Sequence, residues 1–286
     1  MDRYREQRFF EAVIKGSAAV VLSVLILVIG VTVYRGGSVL ISDPTIMITP
    51  PGGSYMLDAE GGFLHAVMGS ILIVVPATII STVIAISTAV YLQSDYSSER
   101  FTDYTNTLLN SLWGTPPIIY GVFVLTLMIA AGARASLVAG IIAIGIFQYP
   151  IITRYVDEAL QSAPEQVREA TYGLGATRIE ASKMMIKSAL PGIVAGVIMG
   201  FARGIGDAAT VLFTAGGSTR MPAGPFEPAT TLPILIFEQA ASFNAELRAH
   251  AYAASFLLIT AVLLLILISK LLTRRMSRFT IGGNPP

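Results

Sequence analysis

The apolar positions of this chain fall in runs too long for one face of a soluble helix. Six stretches stand out: Ala12–Tyr34, Phe63–Leu92, Thr105–Ala131, Ala135–Thr153, Pro191–Ala215 and Ala251–Leu272. Each is mainly apolar over about 18 residues or more, which as a helix crosses about 30 Å of hydrocarbon. The pattern therefore predicts an all-α membrane protein with six transmembrane helices. Phe63–Leu92 is long enough to tilt or to project past the bilayer. Between the runs, residues 35–62 and 217–249 are rich in Gly, Pro, Ser and Thr and read as surface connections on one side. Residues 1–62 read as a polar N-terminal segment, a first span and an outer loop, and residues 63–286 as the main bundle. No soluble domain stands out, and no repeat of about 20–50 residues recurs.

Composition agrees with the pattern. Of 286 residues, 53% are hydrophobic and 13% charged, against about a quarter charged in a soluble domain. The absence of cysteine excludes a disulfide framework, a thiolate metal site and a thiol nucleophile. A net charge of +1 gives no nucleic-acid signal. The placement of charge is more telling. Of the 19 basic residues, 14 lie on one side of the expected spans, among them Arg3, Arg100, Arg154, Arg168, Lys187 and Arg278. Four lie on the other side (Arg35, Arg134, Arg220, Arg248), and Arg203 lies within a span. Positive-inside bias then places both termini in the cytoplasm of a multi-pass protein of the cytoplasmic membrane. The N-terminal run has full spanning length and no clear A-x-A site, so it reads as an uncleaved span rather than a leader.

One polar stretch interrupts the pattern: "SAPEQVREATYGLGATRIEASK", residues 162–183. Ser162 with Glu165 three residues on, and Pro164 between them, has the form of a capped helix start. Gly173 and Gly175 end that helix. Thr177 with Glu180 offers a second capping box, and Pro191 can open the next span. A short helix held at a membrane surface can dock into a partner's groove and carry its motion, although a solvated loop would have the same spacing.

In the fifth run Gly192, Gly196, Gly200 and Gly204 recur every four residues, a smooth stripe on which another helix can lie close. Arg203 and Asp207 sit on neighbouring turns beside it. Arg203 lies 12 residues past Pro191, roughly 18 Å into the span, where an arginine costs on the order of 3 kcal/mol. The two residues either form a structural ion pair or line a substrate path. The base-before-acid order is the weaker one for a helix pair, and intramembrane charge usually marks a route, so the path is the preferred reading. Trp113-Gly-Thr-Pro116-Pro117 should kink or break the third span. His65 and His250, near span starts, read as interfacial. No phosphate-cradling G-x-x-x-x-G-K-[ST], H-E-x-x-H or G-x-S-x-G is present. The chain thus carries no sign of an enzyme or a metal site, and any ATP that drives it must bind another chain.

Glu169-Ala170-Thr171 followed by Gly175 resembles the EAA loop of binding-protein-dependent ABC importer permeases, with Thr171 where that loop has a second Ala. The stretches "GGFLHAVMGSILIV", "AVYLQSDY", "NSLWGTPPIIYGVF" and "GIVAGVIMGFARGIGDAATVLFTAG" resemble the phosphate importer permeases of that family, from about Phe63 to the C-terminus. The resemblance implies a type I permease bundle with a cytoplasmic coupling helix inside an EAA loop at 154–190. It implies an ATPase contact through Glu169, Ala170 and Gly175, and transport of inorganic phosphate past Arg203 and Asp207. The family's partners would be a second related permease, two ATPase subunits that hold ATP and Mg, and an extracytoplasmic phosphate-binding protein. Nucleic acid has no part in it. The alternatives are a permease for another oxyanion or small solute, a self-sufficient secondary transporter or channel, and a membrane scaffold.

Overall fold

The computed structural model describes residues 3–277, so Arg278 of the basic set lies outside the described residues. The regular elements there are α-helices, with one short 3-10 turn at Pro44–Met47 and one isolated bridge between Pro51 and Gly61. In chain order they are α1 (Arg3–Ser42), α2 (Tyr55–Asp58), α3 (Leu64–Tyr91), α4 (Glu99–Gly114), α5 (Pro117–Ala130), α6 (Leu137–Gln161), α7 (Glu165–Gly173), α8 (Arg178–Ile205), α9 (Leu232–Gln239) and α10 (Ala245–Ser277). Five helices, α1, α3, α6, α8 and α10, are long and apolar enough to cross a membrane.

The third expected span is two helices. α4 and α5 meet at 98° across the Thr115–Pro116 break. The cause is local. Pro117 has no N–H to continue a helix from α4, and a residue before proline is driven out of the helical region. Thr115 and Pro116 accordingly have ψ near 129° and 136°. With 14 residues, α5 is about 21 Å long, short of a full crossing.

Two further boundaries differ from the sequence expectation. α8 runs unbroken through Pro191, so the second helix of the polar stretch and the fifth span are one helix of 28 residues. One missing N–H does not break so long a helix, whose neighbouring turns stay hydrogen-bonded and packed. The span then ends at Ile205, and residues 209–215 form a run of turns instead of continuing the helix to Ala215.

The core is built by α3, α6 and α8. Gly192, Gly196, Gly200 and Gly204 of α8 face Ala159, Tyr155, Ile152 and Gln148 of α6, and a side chain at any of the four would strike its opposite number. The near-constant sum of the paired numbers marks an antiparallel crossing held in register. The glycine stripe is thus occupied from within the chain. Gln148 fixes the same crossing by polar bonds. It is fully buried, donates from Nε2 to the Gly200 carbonyl (3.1 Å), and accepts from Thr78 Oγ1 of α3 (2.9 Å).

The end of the bundle that carries Leu92, Gln161 and Arg178 also carries most of the basic loop residues and is termed the basic end. At the far end, the two supposed surface connections are packed together. Ile46, Tyr55 and Phe63 share a buried cluster with Leu232, Leu235 and Leu247. Apolar residues inside both loops, hidden by the surrounding Gly, Pro and Ser, supply this core. His65 and His250 are buried in it rather than interfacial, and both pack their rings against Tyr55. Loop carbonyls of Glu227 and Pro225 accept from the first amides of α6, Leu137 and Val138, which a helix start would otherwise leave unpaired.

Candidate substrate path and coupling elbow

Arg203 stands opposite the middle of α6. Its neighbour Gly204 faces Gln148, which lies about 16 Å from one end of α6 and about 20 Å from the other at 1.5 Å per residue. Among the described residues no ion pair joins Arg203 to Asp207 or to another carboxylate. Its guanidinium instead lies 5.4 Å from the centre of the Phe147 ring, while the residue stays exposed on the isolated chain. Phe147 meets Tyr120 edge-to-face at 5.7 Å.

Asp207 bonds to backbone instead. Its Oδ2 accepts from the backbone N–H of Thr210 at 2.9 Å and opens the run of turns that follows α8. That bond uses one of roughly four acceptor positions of a carboxylate. The interrupted third span meets this turn. Thr210 Oγ1 donates to the Pro117 carbonyl (3.2 Å), and a side chain at Gly121 would collide with the Thr210 carbonyl. Tyr120 donates its hydroxyl to the Leu112 carbonyl at the end of α4 (2.6 Å), which also accepts from the Thr115 amide (3.0 Å).

Two helix breaks therefore converge beside one unpaired arginine at mid-bundle. Irregular backbone is tolerated at that depth only where protein or a water-filled cavity surrounds it. The structure brings Arg203 and Asp207 to one region without pairing them. Phe147, Tyr120, Gln148 and Thr210 complete the surroundings, and sequence reading missed them. A lone Gln within an apolar run was a visible signal. Phe147 and Tyr120 gave none.

At the basic end α7 and the start of α8 form an elbow. α7 begins without the Ser162 cap. Pro164 holds the N-cap position with no side-chain bond, and the Ser162 hydroxyl donates back to Glu158 in α6. The Thr177 box forms in full: the Glu180 amide donates to Thr177 Oγ1 (3.4 Å), and the Thr177 amide to Glu180 Oε2 (2.8 Å). Gly175 has φ +80°, a left-handed conformation in which a side chain would be strained.

Glu169, Ala170 and Gly175 are all exposed, and Leu174 beside them is 90% exposed. On the inner side, Arg168 donates to Asp95 Oδ1 (2.5 Å) and to Ser94 Oγ (2.6 Å). The bond to Asp95, and then its negative charge, hold the Arg168 guanidinium above its already high pKa. The elbow thus offers one acidic and apolar face outward and one ion pair inward.

A family model described as "Binding-protein-dependent transport system inner membrane component" matches residues 82–279, from within α3 to the chain's last residues. The chain belongs to this family. Binding-protein-dependent components of this kind sit in the inner membrane, which agrees with the five long apolar helices. The chain is 31% identical over 226 residues to the "Phosphate transport system permease protein PstA" of Yersinia pestis, covering 79% of this chain and 75% of that protein. It is 33% identical to the protein of the same name from Haemophilus influenzae, over 74% of this chain and 76% of that one. A probable PstA permease of Methanocaldococcus jannaschii is 30% identical, over 70% and 72% of the two chains. In fold, the chain is similar to a chain of the MetNI methionine ABC transporter in an inward-facing form. The TM-score is 0.61 at 20% identity, over 75% of this chain and 95% of that one. The binding-protein-dependent permease bundle expected from the sequence is therefore the fold observed.

Proposed function

We propose that this chain is one of two permease subunits of an ATP-driven importer that moves inorganic phosphate into the cell. The observation that carries the reading is Arg203. A guanidinium that is exposed, unpaired and level with mid-membrane would be costly against lipid. It calls for a second permease to cover that face and for an anion to meet the charge. Its planar fork of donors suits an oxyanion. The names of the relatives supply the choice of phosphate.

Asp207 refines that choice. Phosphate near neutral pH still carries a proton and can donate to the free acceptor positions of Asp207. Sulfate has no proton to give and would set a bare oxyanion against a carboxylate. The elbow of α7, through Glu169, Ala170 and Gly175, would rest on one of two ATPase subunits, where ATP and Mg bind. An extracytoplasmic binding protein would deliver phosphate at the far end. Both termini and the basic end would then face the cytoplasm, in line with the basic residues gathered there.

The test is competition in vesicles that hold the complete assembly, with ATP inside and the binding protein outside. Labelled phosphate should accumulate only with ATP, and sulfate or molybdate in about hundredfold excess should leave the rate nearly unchanged, because neither offers Asp207 a proton. Labelled sulfate taken up as fast as phosphate would assign the chain to a general oxyanion importer.

A further inference from the structure

The turn that leaves α3, residues 93–96, lies apart from the path. Its neighbours are informative. Gln93 Nε2 donates to Asp157 Oδ1 of α6 (3.2 Å). Ser94 and Asp95 both accept from Arg168 of α7. The Tyr96 hydroxyl meets Ser182 Oγ of α8 at 2.9 Å. Four consecutive residues therefore reach three helices, and each contact is polar.

The elbow needs such a hold. No side chain of α7 is fully buried, and only Val167, Arg168, Thr171 and Tyr172 are half-buried, so apolar packing holds it weakly to the bundle. A short connection after Gln161 and the glycine turn at Gly175 join it to α6 and α8. The Asp95–Arg168 pair is the strong link between α7 and α3. Its side chains are 18% and 21% exposed, and Arg168 adds the bond to Ser94, so the pair is less screened than a surface ion pair. α3 in turn carries Thr78, which bonds Gln148 beside Arg203.

We propose that Asp95 and Arg168 are positioning residues that form the strut by which motion of the elbow is passed into α3, and so to the crossing beside Arg203. This rests on the import reading above. The strut does not hold the ATPase. It makes the bundle follow when the ATPase moves α7. Without it, α7 moves without drawing α3 along, and hydrolysis proceeds with little transport.

The test uses the complete assembly in vesicles and measures phosphate moved per ATP hydrolysed, with ATPase co-purification as a second reading. In Asp95→Asn and in Arg168→Gln the ATPase should stay bound and hydrolyse ATP, while the ratio falls about tenfold, as expected when a charge-assisted bond is lost. The reversed pair, Asp95→Arg with Arg168→Asp, should recover most of the ratio, and Tyr96→Phe should lower it less than Asp95→Asn does. An unchanged ratio in the single variants, or a lowered ratio that the reversed pair leaves low, overturns the strut. Loss of the ATPase from the single variants also overturns it, since the pair would then serve assembly. If the parental assembly shows no ATP-dependent uptake, the import reading falls and the strut with it. Uptake by the parent with unaffected variants removes the strut alone.

Discussion

Replacing Arg203 with Ala should lower ATP-dependent phosphate uptake by roughly 10- to 150-fold, the loss expected when hydrogen bonds worth about 1.5–3 kcal/mol to a charged group disappear. The figure follows from the position of the residue. Arg203 makes no salt bridge among the described residues, so its removal breaks none. It rests on the Phe147 ring, and Gln148, Thr78 and Gly200 hold the helix crossing without its help. Assembly and basal ATP hydrolysis should therefore survive. Arg203→Lys keeps the charge but loses the planar fork, and should recover only part of the rate. The measurement is initial uptake in vesicles, normalised to the amount of assembled complex. A parental rate in Arg203→Ala would remove the residue from the path.

The second large effect is expected at the elbow. Glu169→Arg combined with Leu174→Glu should release the ATPase from detergent-solubilised complexes. Hot-spot side chains at interfaces are each worth about 2 kcal/mol or more, which corresponds to roughly 30-fold in affinity. Leu174 is 90% exposed on the isolated chain, and an apolar side chain so placed at a glycine turn is suited to a partner's groove. Because Glu169 and Leu174 are both exposed, the double variant should leave the bundle as heat-stable as the parent. Co-purification checks the first part and thermal denaturation in detergent the second. A complex that keeps its full share of ATPase would contradict the docking role.

Much of this could be read from the sequence, because membrane helices announce themselves by length and apolar content. The glycine ladder of α8 gave a packing face, and the register with α6 filled it from within the chain. The Thr177 box was legible since both of its members are local. The Ser162 box was not, because its hydroxyl could equally bond back to the carbonyl of Glu158, and Pro164 already supplied a helix start. Pro191 misled for the opposite reason: a proline marks a boundary only where the flanking turns do not hold.

The path was half legible. Charge within a span pointed to Arg203, but Phe147 and Tyr120 are ordinary apolar residues until α5 is turned by 98° and brought against α6 and the turn beyond α8. The strut was invisible in the chain. Asp95 and Arg168 are 73 residues apart, and nothing local pairs them.

The central claim is that energy enters this chain through the elbow. The most direct test is the initial rate of phosphate uptake by the complete assembly in vesicles after residues 164–176 are replaced by a flexible Gly-Ser linker of equal length. The account predicts uptake no faster than the same vesicles show without ATP. Uptake at the parental, ATP-dependent rate would contradict it.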